Sequence, residues 1–149
     1  MNINVKRAVL ENLNEVSELF NAYRVFYKQE SNLPLAVNFI SERLKNKDSI
    51  IFYAYDKNGH ALGFTQLYPI FSSVSARSSW VLNDLYVSSN ARRLGVGKTL
   101  MEAAREFANK QNSKGIALET YEDNFTAQAL YESLDYEKET GVYNYFLSL

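Results

Sequence analysis

Residues 92–98, Arg92-Arg93-Leu94-Gly95-Val96-Gly97-Lys98, constrain this chain more than any other stretch. They follow a β-like run, residues 80–87, and open a helix-like one, residues 98–111. Two glycines therefore sit where a strand becomes a helix. With no side chain there, backbone N–H groups can approach a ligand closely. The first N–H groups of a helix lack internal partners and carry the positive end of its dipole. Such a turn is a ready anion site, most often for phosphate. Arg92, Arg93 and Lys98 add positive charge around it.

The pattern on either side places the turn within a mixed α/β sheet with helices on its faces. Residues 2–8 alternate, with Ile3 and Val5 against Asn4 and Lys6, and read as a strand. Asn12 reads as an N-cap, with Glu15 three residues on. Leu13, Val16, Phe20, Tyr23 and Tyr27 follow at helical spacing. Pro34 opens a second helix, with Val37, Ile40 and Leu44 on one face. Residues 49–55 and 61–68 read as strands joined by the turn Asp56-Lys57-Asn58-Gly59. Pro69 ends the second of these strands. Residues 70–79 hold five serines and no period, and read as a loop. After the glycine turn, Leu100, Ala104, Phe107 and Ala108 make an apolar helical face. Residues 116–121 read as a fifth strand and 124–134 as a helix. Residues 136–139 and 142–149, split at Thr140-Gly141, read as a final pair of strands. The expectation is one domain over residues 1–149, with about seven strands and about four helices.

Composition narrows the function. The net charge of −1 argues against a duplex-binding protein, which normally carries a strong basic excess. No cysteine is present, so disulfides, thiolate metal sites and a cysteine nucleophile are excluded. Residues 1–10 carry Lys6 and Arg7 and no long apolar core, so no signal peptide is expected. No apolar run approaches the ~20 residues that span a bilayer. The expected setting is cytoplasmic, without membrane or nucleic acid as partner. His60 is the single histidine. It follows a hairpin turn and reads as an exposed turn residue, so neither a Ser-His-Asp set nor a histidine metal cluster is expected.

Two familiar phosphate loops do not fit. Gly97-Lys98-Thr99 imitates the end of the nucleotide-triphosphate loop G-x-x-x-x-G-K-(S/T), but that loop needs glycine at position 92, which is Arg. A dinucleotide fingerprint needs glycine at position 100, which is Leu.

Arg92-x-x-Gly95-x-Gly97 has the form (Q/R)-x-x-G-x-(G/A). With Leu82-Asn83-Asp84-Leu85-Tyr86-Val87 before it, Asn124-x-x-Ala127-x-x-Leu130-Tyr131 later, and Leu134-Asp135-Tyr136 beyond, the chain resembles the GNAT superfamily of acetyl-CoA-dependent N-acetyltransferases. The likeness covers essentially the whole chain.

The resemblance implies a mostly antiparallel sheet whose fourth and fifth strands splay apart. It implies that backbone groups of Leu85 and Val87 pair with the pantetheine arm of acetyl-CoA. It implies that Arg92, Arg93, Leu94, Gly95, Val96, Gly97 and Lys98 hold the pyrophosphate, and that Asn124 contacts the pantetheine region. Asn124 also suits an N-cap. Tyr131 falls at the family tyrosine near the cofactor sulfur. A phenol keeps its proton at neutral pH, with an ordinary pKa near ~10, so it can donate to a leaving thiolate. Asp84 and Glu119 are the candidate bases, and each also reads as an ordinary solvated carboxylate. Spermidine/spermine acetyltransferases carry Glu-Asp where this chain has Asn83-Asp84, which weakens a polyamine assignment. The implied reaction is direct transfer from acetyl-CoA to a primary amine of a small molecule, without a metal. A protein N-acetyltransferase and a non-catalytic acyl-CoA-binding or sensing domain stay open, as does a homodimer through the terminal strands. The acceptor end is expected from the first two helices, residues 72–79 and the final strands, with Tyr23, Phe26, Tyr27, Phe71, Trp80, Tyr143 and Tyr145 available.

Overall fold

A computed structural model describes residues 2–149. The chain divides into two units, Met1–Leu118 and Glu119–Leu149.

The first unit is a five-stranded sheet with strands in sequence order: β1 (Asn4–Arg7), β2 (Ile50–Tyr55), β3 (Ala61–Ser72), β4 (Arg77–Val87) and β5 (Ile116–Ala117). β1 to β4 are antiparallel and β5 runs parallel to β4. Between β1 and β2 lie α1 (Leu13–Phe26) and α2 (Leu33–Asn46). Pro34 occupies the first turn of α2, and Asn32 caps it by accepting from the Leu35 amide at 3.1 Å. Val16, Leu19 and Phe20 of α1 and Ala36 and Ile40 of α2 bury against Ile51, Tyr53 and Phe64. α3 (Val96–Lys110) forms a second core, in which Val96 and Leu100 meet Ala54 and Leu62. The mixed α/β class with four helices is therefore as read from the sequence.

The strand pattern differs in three places. Residues 70–79 are not a loop. β3 runs on to Ser72 and β4 begins at Arg77, so that Ile70, Phe71 and Ser72 pair with Ser79, Ser78 and Arg77. Pro69 does not end β3, because its partner Trp80 sends its amide away from β3 to the Gly115 carbonyl at 3.1 Å. The pair Pro69–Trp80 is thus a non-hydrogen-bonded one. β2 has no residue beyond Ile50, paired with Leu67, to meet the missing proline N–H. The fifth strand keeps only Ile116 and Ala117 of the expected 116–121.

The second unit contains α4 (Phe125–Ser133). Residues 136–139 and 142–149 form no strand, so the sheet among the described residues has five strands where about seven were expected. Tyr143, Tyr145 and Phe146 are each about nine-tenths exposed.

Candidate active site

β4 has an unequal pair of edges. On one side β3 accompanies it throughout. On the other, β5 pairs only with Trp80 and Val81. The Ser88 amide donates to the Leu62 carbonyl at 2.9 Å, which sets the alternation of the ladder. Residues 84, 86 and 88 point their backbone groups at β3, so those of Leu85 and Val87 point to the edge that β5 has left. The parting of the fourth and fifth strands follows from this pairing. The Val87 carbonyl already accepts from Arg92 Nε at 3.0 Å.

After Val87 the chain makes one short 3-10 turn, Ser89–Ala91, and buries Ala91. Arg93 takes φ 63 and Gly95 φ 86, both left-handed. For Gly95 this conformation is free of steric cost, and for Arg93 it is strain of the kind that gathers at binding loops. Gly95 is the N-cap of α3 and offers no side chain to its amides. The first helical bond runs from the Thr99 amide to the Gly95 carbonyl at 3.0 Å. The amides of Val96, Gly97 and Lys98 come before it and have no acceptor inside the helix. Arg92, Arg93, Leu94 and Lys98 are exposed around them. This donor set, three helix-end amides with Arg93 and Lys98, fits a diphosphate. The Arg92 guanidinium lies 5.3 Å from the Phe26 ring centroid and 6.0 Å from that of Tyr86.

One turn earlier, β4 bulges. Gln66 pairs with Asp84 and Leu67 with Leu82, which leaves Asn83 as an extra residue. Asn83 is exposed, whereas Asp84 is only 2% exposed. The Asp84 carboxylate accepts from Gln66 Nε2 on Oδ2 and from Asn83 Nδ2 on Oδ1, the latter at 2.8 Å. Ser49 Oγ donates to Gln66 Oε1 at 2.8 Å. Burial pushes the carboxyl above the ordinary carboxylate range, and hydrogen bonds from Gln66, Asn83 and Tyr23 oppose that shift. Tyr23 of α1 also donates to the Asn83 carbonyl at 3.4 Å. Burial and the negative Asp84 raise the Tyr23 phenol, and they push that of Tyr68 up to about 12. Both phenols therefore keep their protons at neutral pH.

Asp84 thus differs from the solvated carboxylate its residue type suggests. Glu119 is exposed and lies beyond β5. Among the expected aromatics, Tyr27, just past α1, makes edge contacts with Tyr23 and Phe26 of α1, and Tyr23 and Phe26 approach Tyr86. Trp80 is core, with its Nε1 donating to Ser113 Oγ at 2.8 Å. His60 is an exposed turn residue paired with Asp56 at 3.2 Å. Gln66, Ser49 and Tyr68 were not among the expected site residues. Gln66 in an otherwise apolar strand pattern was the one signal that could have revealed them.

In the second unit, Asn124 caps α4 by accepting from the Ala127 amide at 3.2 Å. Tyr131 lies on α4 with its ring 6.2 Å from that of Tyr136. No helix among the described residues is long and apolar enough to cross a membrane.

Residues 13–136 match the model of the acetyltransferase (GNAT) family. The uncharacterized N-acetyltransferase YhfO of Bacillus subtilis (strain 168) is 42% identical over 147 residues, covering 99% of this chain and 98% of that protein. A probable acetyltransferase of Haemophilus influenzae is 29% identical, covering 77% of this chain and 79% of its own. The crystal structure of a probable acetyltransferase superposes with a TM-score of 0.93 at 37% identity, covering 98% of this chain and 97% of the other.

Proposed function

The chain belongs to the GNAT acetyltransferase family, and from that premise we propose that it transfers an acetyl group from acetyl-CoA to a primary amine of a small molecule. Transfer is direct, with both substrates bound together. The observation that carries this reading is the uncapped start of α3 beside a β4 edge without a β5 partner. The helix supplies donors for a diphosphate, and the strand edge supplies an N–H and C=O ladder for an arm that contains amides.

Acetyl-CoA supplies an activated thioester. The chain supplies orientation and proton transfer. The Val96, Gly97 and Lys98 amides, with Arg93 and Lys98 side chains, hold the diphosphate end. Leu85 and Val87 align the arm along β4. Asp84 accepts, through water, the proton that the amine loses as its nitrogen bonds to the acetyl carbon. Tyr131 gives its phenolic proton to the sulfur as the C–S bond breaks. Asn124 serves as helix cap and contacts the pantetheine region. Arg92, bonded to the Val87 carbonyl and stacked on Phe26 of α1 and Tyr86 of β4, fixes the entrance to the strand edge.

The same reading treats residues 1–149 as one catalytic domain working in the cytoplasm. It extends to a homodimer. Residues 142–149 carry no charge and expose Val142, Tyr143, Tyr145, Phe146 and Leu147, a surface that a second copy would cover. Mass measurement by light scattering, with and without these residues, checks that part.

The decisive experiment is thiol release from acetyl-CoA with a panel of small amines. Release with at least one amine and none without supports the assignment. Tight acetyl-CoA binding with no release across the panel favours a non-catalytic acyl-CoA sensor.

A further inference from the structure

We propose that Gln66 and Ser49 are positioning residues that aim the Asp84 carboxylate. Asp84 and Gln66 are direct cross-strand partners in β4 and β3. Ser49 stands just before β2, so the lead into β2 joins β3 and β4 in one line of hydrogen bonds. All three residues are buried: Ser49 is 8%, Gln66 0% and Asp84 2% exposed.

The polarity of this line is determined by chemistry. A carboxylate only accepts hydrogen bonds, so the Gln66 amide must turn its NH2 towards it. Its Oε1 then faces away and needs a donor, because an unpaired buried carbonyl costs about 1–3 kcal/mol. Ser49 Oγ, at 2.8 Å, is that donor. The acceptor-only carboxylate keeps the NH2 turned inward, Ser49 anchors the outward carbonyl, and the amide so held grips Oδ2. Asn83 holds Oδ1 from the bulge. The carboxylate cannot rotate without breaking one of these bonds.

The titratable groups that face Asp84 are Tyr23 from α1 and Tyr68 from β3, both neutral phenols at neutral pH. No cation among the groups acting on the Asp84 carboxyl neutralises it. Neutral donors alone stabilise its charged form against burial. Removing one favours the protonated acid, so the carboxyl titrates at higher pH.

This inference rests on the reading of Asp84 as the base, and the test separates the two. The Asp84 carboxyl is followed by 13C NMR titration in the whole protein, beside the pH profile of kcat. Gln66→Met keeps the volume and removes the donor. It should move the Asp84 midpoint, and the acid limb of kcat, upward by about one pH unit. Ser49→Ala should move both the same way by less, and Ser49→Thr should restore them. KM for acetyl-CoA should stay within about twofold. An unchanged Asp84 midpoint in folded Ser49→Ala overturns the proposal, even if Gln66→Met fails to fold. A midpoint that moves while the kcat limb stays put supports the positioning role and overturns the base assignment instead.

Discussion

Gly63 of β3 lies so close to Tyr86 of β4 that a Cβ on it would stand 2.5 Å from the Tyr86 carbonyl oxygen. The same Cβ would meet Val87 Cα at 3.2 Å and Val96 Cγ1 at 3.3 Å. Gly63 therefore seats the end of β4 and the start of α3 against one another. Both carry the proposed acetyl-CoA site.

Gly63→Ala should cost about 1–3 kcal/mol, the usual penalty of overpacking, because the obstructing atom is backbone and cannot rotate away. Thermal unfolding should show a melting temperature several degrees lower. Coenzyme A affinity should fall as well, since β4 must shift where Leu85 and Val87 present their edge. A melting temperature within about a degree of the unaltered protein would show that the strands yield freely.

Gly97→Glu should remove measurable coenzyme A binding. It adds bulk and a negative charge beside the free amides of α3, where an anion is meant to sit. Calorimetric titration checks this. Unchanged affinity in a folded variant would falsify the loop assignment.

Asp84→Asn should lower kcat by about 10²–10⁴-fold, the usual contribution of a positioned base. It should also change how stability depends on pH. The Asp84 carboxyl is raised in the folded state, so folding favours its protonated form. Below the unfolded carboxyl value both states are protonated and the group costs nothing. As pH rises from there through the raised folded value, stability is lost, and the loss is complete above it. The asparagine variant escapes that loss. Its melting temperature relative to the unaltered protein should climb across this window and then level off. A difference that is flat with pH would contradict the raised carboxyl.

Tyr131→Phe should depress turnover while coenzyme A affinity holds, because only the proton donor is removed. Steady-state kinetics beside a binding titration separates the two quantities. Wild-type turnover would assign the acid to another group.

The features legible in the sequence were those that depend on residues a few positions apart. The glycine turn was read where a strand becomes a helix, and Gly95 is the N-cap of α3. Pro34 and Asn124 mark helix starts whose capping bonds are local. The apolar spacing of Leu100, Ala104 and Ala108 buries one face of α3. Strand extent was less legible. The serines of 70–79 concealed a ladder that exists only because Ser78 and Ser79 meet Phe71 and Ile70 from β3. Residues 142–149 have a strand-like composition, yet pairing needs a partner that no local pattern names.

Sequence alone determined the helix-opening glycine turn, since backbone dihedrals and unpaired helix-end amides are set within a few residues. Tertiary structure alone decided that Asp84 is buried and gripped. That property needs Ser49, Gln66 and Tyr23, which lie 35, 18 and 61 positions away along the chain, to meet at one bulge. Burial and hydrogen bonding depend on distance in space, which spacing along a chain does not encode.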